Sequence, residues 1–274
     1  MDKNRVVLIT GSSSGMGKQT ALFLSKHNFI VYAGSRQPHK LDNIQNQNLI
    51  PIKFDITDEK NVKNVINFIY DKHNKIDILI NNAGYGLVST VEDATEEQMF
   101  EQFNINVFGV LRVSKYVIPI MRKQNSGIII NISSFLGKIG LPLLTFYNAS
   151  KYAVEGITDS LRYELNDFDI RVHSIMPGFF STNFAKENLK INEDTIDEKS
   201  PYKELVSILA PQILDQINNG NDANEVAKLI LEIINDNNFQ ARVTSGDKAK
   251  KFIPMKKELS DEDFERRVHE YYNI

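Results

Sequence analysis

The sequence predicts an α/β protein: a doubly wound parallel sheet of about seven strands with helices on both faces, in a single domain over residues 1–274. Three observations carry this. Short apolar runs rich in β-branched residues alternate with amphipathic stretches about six times, the runs end at Gly, Asn, Asp or Pro, and no internal repeat or change of composition divides the chain. In such sheets, ligands sit beyond the carboxyl ends of the strands, near the point where strand order reverses.

The runs at Val6–Thr10, 30–33, 52–54, 76–80, 128–132 and 172–176 read as buried parallel strands. A helix is expected at 18–26, and Val62, Val65, Ile66 and Ile69 recur with helical spacing. Thr95 and Gln98 form a capping-box signal for one long helix through Asn106 toward Met121, and another helix covers 147–165. From 179 to 221 the apolar spacing loosens and polar residues dominate, which predicts a substrate-covering loop with short helices. A helix over 222–234 and a strand near 241–244 complete the sheet. The C-terminal extension, 246–274, carries Lys248, Lys250, Lys251, Lys256 and Lys257 before Ser260-Asp261-Glu262-Asp263, a helix-start signal. It reads as a solvated tail packed by a few apolar residues.

With 274 residues and 42% hydrophobic content, the chain can bury a full core. Its formal net charge of -3 leaves no basic footprint for nucleic acid. The absence of cysteine removes disulfides, thiolate metal sites and a cysteine nucleophile, and the five histidines show no ligand spacing, so no metal is expected. The N-terminus, 1–5, runs straight into a strand, and no apolar run approaches the ~20 residues of a membrane span. A cytoplasmic location is the expectation.

The first strand ends in Thr10-Gly11-Ser12-Ser13-Ser14-Gly15-Met16-Gly17 and enters a helix. Glycines there let the backbone turn sharply and approach a pyrophosphate at the helix N-terminus, where free N–H groups and the dipole favour negative charge. The spacing, G-x-x-x-G-x-G, differs from the commoner G-x-G-x-x-G. Farther on, Tyr147 and Lys151 stand one helical turn apart on one face. An ammonium beside a phenol favours the phenolate and would pull its pKa down toward neutrality. An isolated Y-x-x-x-K is a weak signal, because solvated helix faces offer many such pairs. The residues after the second strand, Ala33-Gly34-Ser35-Arg36, hold no acid; Arg36 can pair with a phosphate and Ser35 can add a hydrogen bond.

Together these motifs resemble the short-chain dehydrogenase/reductase family over nearly the whole chain. Asn81-Asn82-Ala83-Gly84, Asn106-Val107-Phe108-Gly109, Ser133-Ser134 and Pro177-Gly178 follow in the family's order at successive element ends. The resemblance implies a Rossmann-type fold and a nicotinamide dinucleotide that supplies hydride; with Ser35 and Arg36 where an acid would repel a ribose phosphate, NADP (NADPH) is favoured over NAD. It implies a catalytic set of Asn106, Ser134, Tyr147 and Lys151. Tyr147 is then the proton donor or acceptor, Lys151 lowers its pKa and binds the nicotinamide ribose, Ser134 holds the substrate oxygen, and Asn106 holds a water linking Lys151 to solvent. Ser133 competes with Ser134, but Ser134 lies thirteen residues before Tyr147, as in many members. The implied cofactor contacts are Thr10, Gly11, Ser13, Ser14, Gly15, Met16, Gly17, Ser35, Arg36, Asp55, Ile56, Asn82, Ala83, Gly84, Tyr147, Lys151, Pro177, Gly178 and Thr182. For Asp55 and Asn82 the alternative is loop capping.

Gly140-Leu141-Pro142 and Lys151-Tyr152-Ala153-Val154-Glu155-Gly156 resemble the 17β-hydroxysteroid and retinol dehydrogenase subgroup, which implies a hydrophobic, steroid- or retinoid-like carbonyl or alcohol. Ser134, Leu136, Leu141, Tyr147, Phe179 and Phe184, with Ile139 and Phe180, are candidates for the substrate wall. The alternatives are a 3-oxoacyl-thioester (acyl-carrier-protein) reductase and a non-catalytic dinucleotide sensor. By the same resemblance, the helices through Asn106 and Tyr147 pair two subunits in a homodimer or homotetramer.

Overall fold

Val7 and Ile9 leave the first strand on one side and Val6 and Leu8 on the other, and all four are fully buried. A strand covered on both faces requires a helical layer on each. The computed structural model, which describes residues 5–182 and 184–274, shows that arrangement. Residues 1–4 of the expected N-terminal lead-in lie outside the described residues.

In chain order the elements begin β1 (Val6–Thr10), α1 (Gly15–Lys26), β2 (Ile30–Ser35), β3 (Leu49–Lys53), α2 (Glu59–His73), β4 (Ile78–Asn81) and β5 (Gly86–Val88). They continue with α3 (Glu96–Phe103), a π-helical segment (Asn104–Phe108), α4 (Gly109–Gln124), β6 (Gly127–Ile132), α5 (Thr145–Leu165) and β7 (Ile170–Pro177). The last part holds β8 (Phe180–Ser181), α6 (Phe184–Glu187), β9 (Leu189–Ile191), α7 (Lys203–Asn218), β10 (Asn221–Asp222), α8 (Asn224–Asn235), β11 (Arg242–Ser245), α9 (Asp247–Glu258) and α10 (Asp261–Tyr272). The central sheet has seven strands in the order β11-β7-β6-β4-β1-β2-β3, every pair parallel. Strand order reverses between β1 and β4, which places the ligand crevice over the ends of those two strands.

On one face, α1 and α8 pack Leu24, Val226 and Ile230 onto Val7, Ile9 and Ile130. On the other, α2, α4 and α5 pack Ile66, Val113 and Leu161 onto Leu8, Leu79 and Ile129. Three expectations are corrected. The long helix from Thr95 is interrupted by the π-helical turn at Asn104–Phe108, because the Asn106 side chain is drawn to the Tyr85 backbone. The segment 179–221 contains the 16-residue helix α7, whose Leu209, Ile213 and Ile217 are buried. The C-terminal extension is a packed helical pair, with Phe252, Phe264, Val268 and Tyr272 buried in a third apolar cluster.

That cluster buttresses the site. The Phe252 ring lies 6.4 Å from Phe135, which follows Ser134, and 5.1 Å from Tyr271. Truncation by Phe252→Ala is expected to lower stability by about 3–5 kcal/mol, read as a shift of the urea midpoint. A change near zero is the result expected of a solvated tail.

Candidate active site

The crevice is built where two loops are zipped together. Thr10 Oγ1 accepts the N–H groups of Asn82 (3.0 Å) and Ala83 (2.9 Å), and Asn82 Nδ2 donates to the carbonyls of Thr10 and Gly11, both at 3.0 Å. Gly17 lies against this knot: a Cβ there would meet Asn82 Nδ2 at 2.3 Å and the Gly11 carbonyl at 2.5 Å. Gly11 and Gly15 hold φ of +66° and +56°, a region costly for other residues. Ser14, the N-cap of α1, makes no side-chain bond to the first turn, so the N–H groups there point to the cleft unclaimed by it. Two expectations change. Thr10 is buried and does not line the cleft, and the Asn82 amide is engaged by the loop backbone although the residue borders the cleft.

The cleft has a volume of about 420 Å³ and is bordered by Gly11, Ser13, Ser14, Gly15, Met16 and Gly17 on one side. Ser35, Arg36, Asp55 and Ile56 border its far end, and Ala83, Gly84, Tyr147, Lys151 and Thr182 its near end. Ser35 Oγ is buried and has no hydrogen-bond partner among the described residues. A buried hydroxyl left in that condition costs free energy unless a ligand atom completes it. With Arg36 beside it, the chemistry fits a phosphorylated ribose, and the glycine cradle fits a pyrophosphate. Asp55 receives Thr57 N–H (2.9 Å) and Thr57 Oγ1 (2.7 Å), so the loop-capping role is present at the cleft wall.

At the near end, α5 brings Tyr147 and Lys151 under the carboxyl end of β6. Lys151 is buried, its Nζ donates to the Ile132 carbonyl at 2.9 Å, and it stands 5.7 Å from the Tyr147 ring centre. Burial pushes Lys151 down to about 8, opposed by the Glu155 carboxylate. Burial pushes Tyr147 up to about 12, opposed by the facing Ser134 hydroxyl. Desolvation of the phenolate thus raises the Tyr147 pKa where a lowering by Lys151 is the expectation from sequence. Ser134 caps the 3₁₀ turn Phe135–Gly137 by accepting Leu136 N–H at 3.1 Å, whereas Ser133 Oγ reaches the Lys151 carbonyl at 3.5 Å. Asn106 is buried in the π-helical segment; it takes the Tyr85 N–H at 3.0 Å and donates to the Tyr85 carbonyl and Ser150 Oγ at 2.9 and 3.0 Å. A Cβ on Gly84 would meet Asn106 Oδ1 at 3.2 Å and Lys151 Nζ at 3.7 Å, so these two groups approach across Gly84.

An apolar pocket of about 80 Å³ opens from the same point, walled by Leu136, Leu144, Phe179, Phe184, Ile213 and Ile217, with Ser134 and Tyr147 at its mouth. Phe180, Pro177, Gly178 and Thr182 border it as well, so Pro177 and Gly178 lie on this side and not in the dinucleotide cleft. Leu141 and Ile139 do not border it: both are buried within the third apolar cluster.

The sequence profile described as short chain dehydrogenase matches residues 5–193. The chain belongs to this family. Among its relatives, a 3-ketodihydrosphingosine reductase of Bacteroides thetaiotaomicron is 44% identical over 191 residues, 70% of this chain and 69% of that protein. A short-chain dehydrogenase from Streptomyces avermitilis has a solved structure that superposes with a TM-score of 0.85 at 27% identity, covering 98% of this chain and 97% of the other. The structure of ElxO with NADP bound gives a TM-score of 0.70 at 30% identity, covering 88% of this chain and 96% of that one. As a short-chain dehydrogenase the chain is an oxidoreductase that uses a nicotinamide dinucleotide.

Several site residues of this short-chain dehydrogenase escaped the sequence. Ile213 and Ile217 form one buried stripe on α7, a spacing hidden by the polar residues around it. Lys40, Tyr85, Glu101, Glu187 and Lys190 ring the cleft mouth, joined in part by Lys40–Glu187 (2.9 Å) and Lys190–Glu101 (2.6 Å). No local motif marks them, because they meet only through the fold.

Proposed function

We propose that the protein is an NADP(H)-dependent reductase of a ketone carried on an apolar, lipid-like substrate. One observation carries the reading: the polar cleft and the apolar pocket meet at Tyr147, and both are bordered by Met16, Ser133, Thr182 and Phe184. A nicotinamide dinucleotide in the cleft supplies the hydride. Tyr147 gives its proton to the carbonyl oxygen in reduction and recovers it in oxidation, Ser134 holds that oxygen, and Lys151 holds the nicotinamide ribose. Asn106 fixes the backbone at Tyr85, beside Gly84, and sets the space next to Lys151. Burial pushes Tyr147 up to about 12, which keeps on the phenol the proton that it gives to a carbonyl oxygen.

Ser35 and Arg36 support NADP over NAD, as does the NADP bound to the similar ElxO. The segment 179–221 is the substrate cover in this reading, since Phe179, Phe184, Ile213 and Ile217 all come from it. The exposed Phe108 and Leu111 on the π segment and α4 suit pairing of two copies into the homodimer or homotetramer.

The substrate wall is apolar except at Tyr147, Thr182 and the serines, which suits a long alkyl ketone; the name of the Bacteroides relative makes 3-ketodihydrosphingosine the first compound to test. NADPH oxidation is to be followed with that ketone, a steroid ketone, retinal and a 3-oxoacyl thioester. Turnover with the alkyl ketone supports the reading. Turnover confined to the thioester moves it to the acyl-carrier alternative, and NADPH binding without turnover on any of them moves it to the sensor.

A further inference from the structure

Glu155 is buried one turn beyond Lys151 on α5, and three side chains from other parts of the fold converge on its carboxylate. Ser174 Oγ on β7 donates to Oε1, Arg242 Nε on β11 to Oε2 at 2.6 Å, and Lys138 Nζ, just past the turn that Ser134 caps, stands 3.5 Å from Oε2. Arg242 also donates to the Glu155 carbonyl at 3.2 Å and pairs with Asp159 at 2.5 Å. A Cβ on Gly137 would meet Ser133 Oγ at 2.8 Å, the Lys151 carbonyl at 2.9 Å and Glu155 Cγ at 3.1 Å, so the serine turn is seated directly on this part of α5. A charge this deep, with only 3% of its surface exposed, is costly to keep even when paired. A purely structural contact between α5 and β7 needs no carboxylate.

We propose that Glu155 is a positioning residue for the reaction: its carboxylate ties the Ser134 turn to α5 and keeps the buried Lys151 in its ammonium form. The inference rests on the roles proposed for Lys151 and Ser134. The groups around Lys151 are Tyr147 and Glu155 on its own helix, the Ile132 carbonyl on β6, Ser133 in the turn, and Asn106 across Gly84. Around Glu155 stand Arg242, Lys138 and, through Arg242, Asp159. The field of the Glu155 carboxylate, one helical turn away, raises the Lys151 pKa against the pull of burial. The sign follows: loss of Glu155 lowers the Lys151 pKa and brings the alkaline loss of function to lower pH.

The test is the pH dependence of NADPH binding, followed by cofactor fluorescence from about pH 6 to 9, alongside kcat for the ketone. In Glu155→Gln, NADPH affinity should match the parent within about twofold near pH 6 and be weaker by about tenfold near pH 8, with the alkaline limb of kcat moved the same way. Arg242→Gln keeps the carboxylate and removes its main counter-charge, so its limb should move to higher pH; it carries the test if Glu155→Gln does not fold. Parallel curves for variants and parent overturn the proposal, whatever the uniform loss of rate. Lys151→Met separates the two readings: it should bind NADPH without the alkaline limb. If it keeps the limb, the role of Lys151 fails, and that of Glu155 with it. Absence of turnover with a limb that shifts as described leaves Glu155 in place and removes only the substrate.

Discussion

Tyr147→Phe is expected to lower ketone reduction by about 10²–10⁴-fold in kcat while changing NADPH affinity by no more than about twofold. The phenol hydroxyl stands at the junction of cleft and pocket, and burial pushes its pKa up to about 12, which keeps the proton on it. Its ring packs 6.5 Å from Phe184 and against Gly86, whose Cβ position lies 3.6 Å from Tyr147 Cδ2, so Phe keeps the wall intact and only the proton is lost. Stopped-flow reduction and fluorescence titration read the two quantities separately. A variant that keeps its rate contradicts the assignment of Tyr147.

Arg36→Ala is expected to weaken NADPH by about 10–100-fold and to leave NADH nearly unchanged, because a charged hydrogen bond to phosphate contributes about 1.5–3 kcal/mol. Ser35 remains in that variant, with its hydroxyl buried at the same wall, so residual preference for the phosphorylated cofactor should persist. Calorimetric titration with both cofactors measures the ratio. Equal losses for NADPH and NADH place Arg36 on a part that both share and remove the basis for NADP.

The sheet was legible because each strand pairs an apolar run with a turn signal at its end; β1 and β6 fall within a residue of their expected limits. β3 spans Leu49–Lys53 where 52–54 is the expected run, and Pro51 is tolerated inside it because β3 is an edge strand. The tail was misread: Phe264, Val268 and Tyr272 recur at helical spacing, but the lysines and acids between them dominate the composition. Tyr147 and Lys151 are legible as a pair because they lie one turn apart on one helix face, whereas Ser134 stands out from Ser133 only through the family resemblance. Leu141 was placed on the substrate wall from proximity in sequence alone, whereas the turn after Ser134 directs it into the core. Glu155 was visible as part of a motif, but its partners Lys138, Ser174 and Arg242 are brought to it only by the packing of β7 and β11.

The central claim is that hydride passes from a phosphorylated nicotinamide cofactor to a carbonyl carbon in the apolar pocket beside Tyr147. Incubation with NADPH carrying deuterium on the transferred position of the nicotinamide, followed by mass spectrometry of the alcohol formed from 3-ketodihydrosphingosine, tests it directly. One deuterium on the carbinol carbon, with far less labelled alcohol from Tyr147→Phe at matched times, is the predicted result. An alcohol formed without deuterium, or label transferred equally well by the variant, contradicts the account.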